Sequence, residues 1–359
     1  MSFRLGGGDG VSVEAAKWRW ALEQLGCDVV TVAGEGDAER VVPELAIHAG
    51  RAPDDMTVQR ALADADVVVV ENVCSLPLNP GAADAVARAL RGRPAILHHH
   101  DLAWQRPHFA GSGPPPDDRA WRHVTINWLS RRELAAHGID ATVVYNTFDP
   151  DPPRGSREAV RAALGLAESD RLVLQATRAL ARKRVDAALA LAADLGATYW
   201  LLGPPEDGYG PTLERMLEAA RCPVRTGPVV VEGTLSGVED AYAACDVVAL
   251  PSSWEGFGNP VLESATHRRP LVVGDYPVAR ELQGFGFDWF FDTDEDRARL
   301  ARWLDSPDPS LLDANAAIAR RYFSLADLPR RVGGLLRALG IVRSAGSVCG
   351  RGDRGACRP

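Results

Sequence analysis

The chain has no apolar run approaching the roughly 20 residues that a helix needs to cross a bilayer. Its opening residues, MSFRLGGGDG, contain no apolar core of the signal-peptide kind, and a cytoplasmic location is expected. A basic excess is missing too: the formal net charge is −8. That argues against a dedicated nucleic-acid binder with its basic stripe and leaves room for a local basic pocket. The six cysteines (Cys27, Cys74, Cys222, Cys245, Cys349 and Cys357) include no C-x-x-C pair, so zinc fingers and disulfide scaffolds have little support. Four of them lie in or beside apolar runs, where a small buried thiol is expected. No internal repeat stands out. No Gly-Lys-Ser/Thr follows the glycines near the N-terminus, which excludes a Walker A loop.

What is present is an alternation of short β-branched runs with longer amphipathic ones. DVVTVAG, ADVVVVEN, PAILHHH, HVTINW and ATVVYN read as strands, with helices such as VEAAKWRWALEQLG and AADAVARALRG between them. Ser130 and Glu133 have the spacing of a capping box. Valine-rich runs apolar on both faces suit parallel strands buried by helices on each side. NTFDPDPPRGSRE, residues 146–158, is Pro/Asp/Gly-rich and aperiodic, as a linker is. The alternation then restarts with RLVLQAT, ATYWLLG, CPVRTG, DVVALPS and PLVVG.

The fold class expected is α/β, two doubly wound Rossmann-like domains facing across a cleft. The first covers 1–150 and the second 151–325. A helical segment follows over 326–342, and a Gly/Arg-rich tail over 343–359 is expected to be disordered. Only MSFRL precedes the first glycine turn, shorter than a typical strand. This leads to the expectation that the recorded start is late and the first strand truncated.

The densest stretch is SSWEGFGNPVLESATHRRPLVVGD, where Glu255 and Glu263 flank a Gly-Phe-Gly corner. Asn259 suits an N-cap and Pro260 the first helical position. A capping box would need its acid at Leu262 and misses Glu263 by one, which favours a ligand-holding role for the two acids. Free backbone N–H groups and the helix dipole point into the space between them. Arg178, Arg182, Lys183 and Arg184 follow a strand end beside a helix start, where cations suit a diphosphate or simply form a solvated basic turn. Gly6, Gly7, Gly8 and Gly10 precede a helix that Ser12 could cap, and can let backbone amides approach a phosphate or form a plain tight turn. His98, His99 and His100 end a strand, followed by Asp101. Successive strand residues point to opposite faces, so no metal site is expected of them; a His–Asp corner that orients a sugar hydroxyl fits better. Trp121, Trp128, Arg122, Arg131 and Arg132 leave peripheral membrane contact as a minority reading.

Together these motifs resemble a family 4 retaining glycosyltransferase of the two-domain GT-B fold (glycosyl transferases group 1), along nearly the whole chain. The most specific part is DAYAACDVVALPSSWEGFGNPVLESATHRRPLVVGDYPVAREL, which is similar to the family's E-x7-E segment. The resemblance implies transfer of a hexosyl group from a UDP-, GDP- or ADP-sugar to a small-molecule, glycan or lipid acceptor, with retention and without metal or other cofactor. It implies that Glu255, also catalytic, contacts sugar hydroxyls, that Phe257, Gly258 and Asn259 meet sugar or phosphate through their backbone, and that Glu263 holds the ribose. Arg178, Lys183 and the loop around Gly8 would hold the diphosphate, and His100 with Asp101 would lie on the acceptor side, His100 also catalytic. His267 and Arg268-Arg269 depart from the family's small residue and glycine, which is expected to lengthen that turn. The alternatives are a nucleotide-sugar epimerase on the same fold or a non-catalytic sugar- or nucleotide-binding module. Since Glu255 sits on a loop, Glu255→Ala is expected to lower transfer far more than stability.

Overall fold

A computed structural model of the chain describes residues 1–231 and 233–341. The tail over 343–359, with Cys349 and Cys357, lies outside the described residues. In chain order the first half runs β1 (Ser2–Leu5), α1 (Gly10–Gln24), β2 (Val32–Gly36), β3 (Arg40–Val41), α2 (Asp55–Ala61), β4 (Val68–Glu71), α3 (Pro80–Leu90), β5 (Ala95–His99), β6 (Trp121–Thr125), α4 (Trp128–Ala136) and β7 (Ala141–Val143). The second half runs α5 (Arg157–Leu164), β8 (Leu172–Gln175), α6 (Val185–Asp194), β9 (Thr198–Leu201), α7 (Gly210–Glu218), β10 (Val224–Thr226), β11 (Val230–Val231), β12 (Thr234–Leu235), α8 (Val238–Ala244) and β13 (Val247–Leu250). It continues through α9 (Asn259–Thr266), β14 (Leu271–Val273), α10 (Pro277–Gln283), β15 (Phe290–Phe291), α11 (Asp294–Asp305), α12 (Pro309–Tyr322) and α13 (Leu328–Ala338).

The N-terminal strands pair in parallel in the orders β1-β2-β3 and β4-β5-β6-β7. Met1 joins the two sets: its amino group donates to Val69 O at 2.8 Å and its carbonyl accepts from Glu71 N at 2.8 Å. The first strand is therefore short, four residues, yet central. The second half holds one six-stranded parallel sheet, ordered β10-β9-β8-β13-β14-β15, with β11 and β12 forming a small antiparallel ribbon apart from it. Such parallel strands are buried on both faces, which is why Val247, Val248, Ala249 and Leu250 of β13 are all inaccessible.

The chain crosses between halves twice. Phe148 on the outward linker pairs with the return segment: its N–H donates to Phe323 O at 2.7 Å and its carbonyl accepts from Leu325 N at 2.8 Å. After the return, α13 packs on α1, burying Val332, Leu335 and Leu336 with Trp18, Ala21 and Leu22. An aromatic cluster of Tyr145, Phe148, Phe257, Phe285 and Phe323 fills the junction. Glu281 of α10 reaches across it, accepting from Trp128 N (2.8 Å), Leu129 N (3.0 Å) and the Tyr145 hydroxyl (2.7 Å). A carboxylate at a helix N-terminus satisfies orphan N–H groups and meets the positive dipole end, so α4 is tied to the opposite domain.

Local starts differ in detail from the sequence reading. Asp9, not Ser12, caps α1: its side chain accepts from Val11 N and Ser12 N, and Ser12 Oγ donates to it at 2.8 Å. Asn127 caps α4, accepting from Ser130 N at 2.6 Å, while Glu133 accepts from Trp104 and Gln105 instead of closing a box. Among the described residues, no helix is long and apolar enough to cross a membrane.

Candidate functional site

The EGFG corner leaves the C-terminal end of β13 and lands on the opposite domain. A Cβ on Gly256 would collide with the His100 carbonyl oxygen and lie 3.2 Å from Asp101 Oδ1. Gly256 O accepts from Asn127 Nδ2 at 2.6 Å. The two loops singled out from sequence, one per domain, are thus in contact. Glycine is required again two residues on: Gly258 has φ +89°, and a Cβ there would sit 2.5 Å from Tyr276 Oη. The Phe257 ring between them is buried in the aromatic junction, which turns the backbone of the corner outward.

Helix α9 starts one residue earlier than its sequence suggests. Gly258 is the N-cap, in the left-handed region and without a side-chain cap, and Asn259 is the first helical residue. Asn259 does not cap; its Oδ1 accepts from Asn146 Nδ2 at 3.0 Å, joining α9 to the linker. Glu263 therefore lies further inside the helix than a capping box allows. Its Oε2 accepts from the Tyr242 hydroxyl at 2.7 Å, and burial raises its carboxyl above the usual range. The glycine loop of the N-terminal domain faces the same helix start, with Gly10 against Asn259 and open space around Gly8.

Glu255 is only 5% exposed despite its loop position. Its carboxylate accepts from Lys183 Nζ at 2.5 Å and from Arg182 Nη1 at 2.7 Å. Burial alone would push this carboxyl up, but Lys183 and Arg182 outweigh it and hold it at about 2. Burial also lowers Lys183, in spite of Glu255. That burial withdraws the expectation for Glu255→Ala: the substitution would leave a buried ammonium without its partner, so stability falls with activity. Arg178 stands apart from this pair. It bonds Glu206, which lies 3.9 Å from Arg4 of β1, and Arg4 in turn pairs with Asp9 at 3.3 Å. The chain of alternating charges spans the cleft beside the glycine loop.

On the N-terminal side the three histidines divide as strand geometry requires, but the conclusion drawn from it was incomplete. His99 points away, its Nε2 bonded to His123 Nδ1 at 2.8 Å. His98 and His100 share a face and converge on a residue the sequence reading passed over, Glu71 at the end of β4. Glu71 Oε2 meets His98 Nδ1 at 2.8 Å and His100 Nε2 at 2.7 Å. The three polar atoms all lie within 4.8 Å of one another, a spacing that could admit an ion, although the hydrogen bonds already engage them. The only clue in the sequence was an acid closing the run VVVVE. Asp101 accepts from Arg106 Nη2 at 2.9 Å.

The charged turn after α9 is a compact helix end. Arg268 takes the left-handed conformation of a C-terminal cap at φ +54°, and Arg269 N donates to Ser264 O at 2.8 Å. His267 stacks on Tyr242 with ring centroids 4.6 Å apart, and Arg269 Nε donates to Tyr242 O at 2.7 Å. The departures from the family pattern thus brace the tyrosine that holds Glu263. Several buried polar atoms around the cleft have no protein partner: Thr177 Oγ1, Trp254 Nε1, Tyr276 Oη and Thr147 Oγ1.

Residues 173–302 match the family model described as glycosyl transferases group 1. The chain carries a group 1 glycosyltransferase domain. Mannosylglucosylglycerate synthase of Petrotoga mobilis is 26% identical, over 80% of this chain and 84% of that protein; the synthase of Thermotoga maritima is 29% identical, over 77% and 80%. The structure of Anabaena HepE in complex with UDP-glucose superposes with a TM-score of 0.68 at 18% identity, over 94% of this chain and 99% of that one. Sucrose-phosphate synthase from Thermosynechococcus elongatus gives 0.68 at 15%, over 95% and 99%. The fold is GT-B, as expected, and glycosyl transfer is its reaction; epimerisation is not favoured.

Proposed function

We propose that this glycosyltransferase moves a hexosyl group from a nucleoside-diphosphate sugar to an acceptor hydroxyl with retention of configuration and without a metal ion. The observation that supports the reading is the contact of Gly256, next to Glu255, with His100 and Asp101 of the facing domain. Arg178 and Lys183 lie on the segment that leaves the C-terminal end of the parallel strand β8, where ligands of such sheets bind. They and the start of α9 supply the positive charge that a leaving diphosphate needs, in fixed positions before the reaction begins. Glu255 would engage sugar hydroxyls, Glu263 the ribose, and the Phe257–Asn259 backbone with the Gly8 loop the phosphates.

The relatives' name, a synthase of mannosylglucosylglycerate, points to a mannosyl donor and a small polar acceptor. A thermal-shift screen with UDP-, GDP- and ADP-hexoses tests the donor, because a ligand that binds only the folded state raises apparent stability, by about 2.7 kcal/mol at a hundredfold excess over Kd. One nucleotide sugar should stand out and be turned over. Stabilisation by none of them, or tight binding without turnover, would defeat the reading in favour of a binding module.

A further inference from the structure

The trio Glu71, His98 and His100 is a buried ionisable cluster that the donor-site assignments do not use. We propose that Glu71 is a positioning residue for the transfer: its carboxylate takes the Nε2 side of His100 and so turns Nδ1 of that ring toward the cleft. The proposal rests on the glycosyl-transfer reading above.

The geometry is specific. Glu71 is 3% exposed, at the end of β4, and its neighbour β5 delivers His98 and His100 two residues apart on one face. A single oxygen, Oε2, meets both rings. His100 has no hydrogen-bond partner on Nδ1 among the described residues. Its backbone N–H is fixed by Asn72 Oδ1 at 3.0 Å, and its ring packs at a tilt against His98, centroids 4.3 Å apart, as His98 does against Trp18 of α1 at 4.3 Å. The ring is therefore held by Glu71 and His98, and Gly256 of the facing domain touches the His100 backbone carbonyl, which puts the residue beside the cleft.

The electrostatics agree with that role. Burial by itself would lower His100, but the hydrogen bond and charge of Glu71 outweigh it, with Glu14 of α1 and Asp101 of the following loop adding to the effect, and the ring is raised above its ordinary value. Of the other titratable neighbours, His98 and His99 are both lowered by burial, and the buried Met1 ammonium interacts with Glu71. A cationic His100 has donors on both nitrogens. One is consumed by Glu71, and the other is left to donate to a hydroxyl or ring oxygen of the bound sugar. A carboxylate that orients and charges an imidazole in this manner acts through it, without touching the substrate.

The test compares wild type, Glu71→Gln and Glu71→Asp with the best donor. Glu71→Gln keeps shape and removes charge, so kcat should fall about 10- to 100-fold, the scale of one hydrogen bond to a charged group, with donor KM little changed. Activity that needs the cation is lost as pH rises through the His100 value. The alkaline limb of kcat should therefore move to lower pH in Glu71→Gln, and Glu71→Asp should restore part of it. An unchanged limb, or kcat and melting temperature falling together with the limb fixed, would overturn the proposal. Should Glu71→Gln fail to fold, 15N-histidine NMR of the wild type decides: His100 should keep its proton on Nε2 and titrate above 6.5. A neutral ring protonated on Nδ1 would refute it. Uptake of one zinc ion by wild type that Glu71→Asp abolishes would also overturn it, by making the trio a metal site. The NMR result stands apart from transfer: a wild type that turns over no donor counts against the functional reading alone.

Discussion

Lys183→Met is the substitution that interrogates the site most closely. The Lys183 ammonium and the Glu255 carboxylate are both buried and 2.5 Å apart. The drop of the Glu255 carboxyl from 4.5 to about 2 corresponds to about 3 kcal/mol in favour of the ionised folded form. The folded value lies below the unfolded one, so this stability is fully present above pH 4.5 and is lost as pH falls from there toward 2. Lys183 is the larger of the two attractions and Arg182 the smaller. Methionine keeps the stem and deletes the charge, and should cost about 2 kcal/mol at neutral pH, more than half of the total. Urea unfolding should show that loss at pH 7 and a smaller one near pH 3, where part of the benefit is gone in the wild type too. Pairing Lys183→Met with Glu255→Gln removes the stranded carboxylate, so the double variant should be at least as stable as Lys183→Met alone. Equal losses at both pH values, or strict additivity of the two substitutions, would refute the ion-pair account and leave only packing.

Three further outcomes follow from named contacts. Tyr242→Phe deletes the hydroxyl bonded to Glu263 and should weaken nucleotide affinity severalfold while costing about 1–2 kcal/mol of stability, as read by donor titration and denaturation; unchanged affinity would remove Glu263 from the donor site. Gly258→Ala forces an alanine into φ +89° and against Tyr276, so the melting temperature should drop with a loss of about 1–3 kcal/mol, and a neutral result would contradict the geometry of the corner. Arg268→Gly relieves a left-handed backbone at the end of α9 and gives up an exposed pair with Asp313, and the net change should lie between zero and a gain of about 1 kcal/mol; a clear loss would mean that the exposed pair matters more than the backbone.

The fold was legible because valine-rich runs at regular spacing leave little choice but parallel strands, and DVVALPSSWEGFG announced its own turn by two glycines and a proline-led helix. Lys183 and Glu255 were both marked as site residues, yet their partnership was not readable, because 72 residues separate them and only β8 and β13 lying side by side brings them together. Glu71 was missed for a related reason. An acid at a strand end reads as solvated until the neighbouring strand is known to supply two imidazoles. The cap of α9 went to Gly258 instead of Asn259 because Asn259 found a partner in the linker residue Asn146, a contact across the junction that no local rule contains. The return of α13 onto α1 was equally invisible, since it depends on a second crossing at Phe323 beside Phe148.

The central claim is metal-independent transfer with retention, and one measurement bears on it directly: proton NMR of the product formed from an α-linked nucleotide sugar in the presence of excess EDTA. The account predicts an α-linked product at an undiminished rate. A β-linked product, or turnover abolished by the chelator, would contradict it.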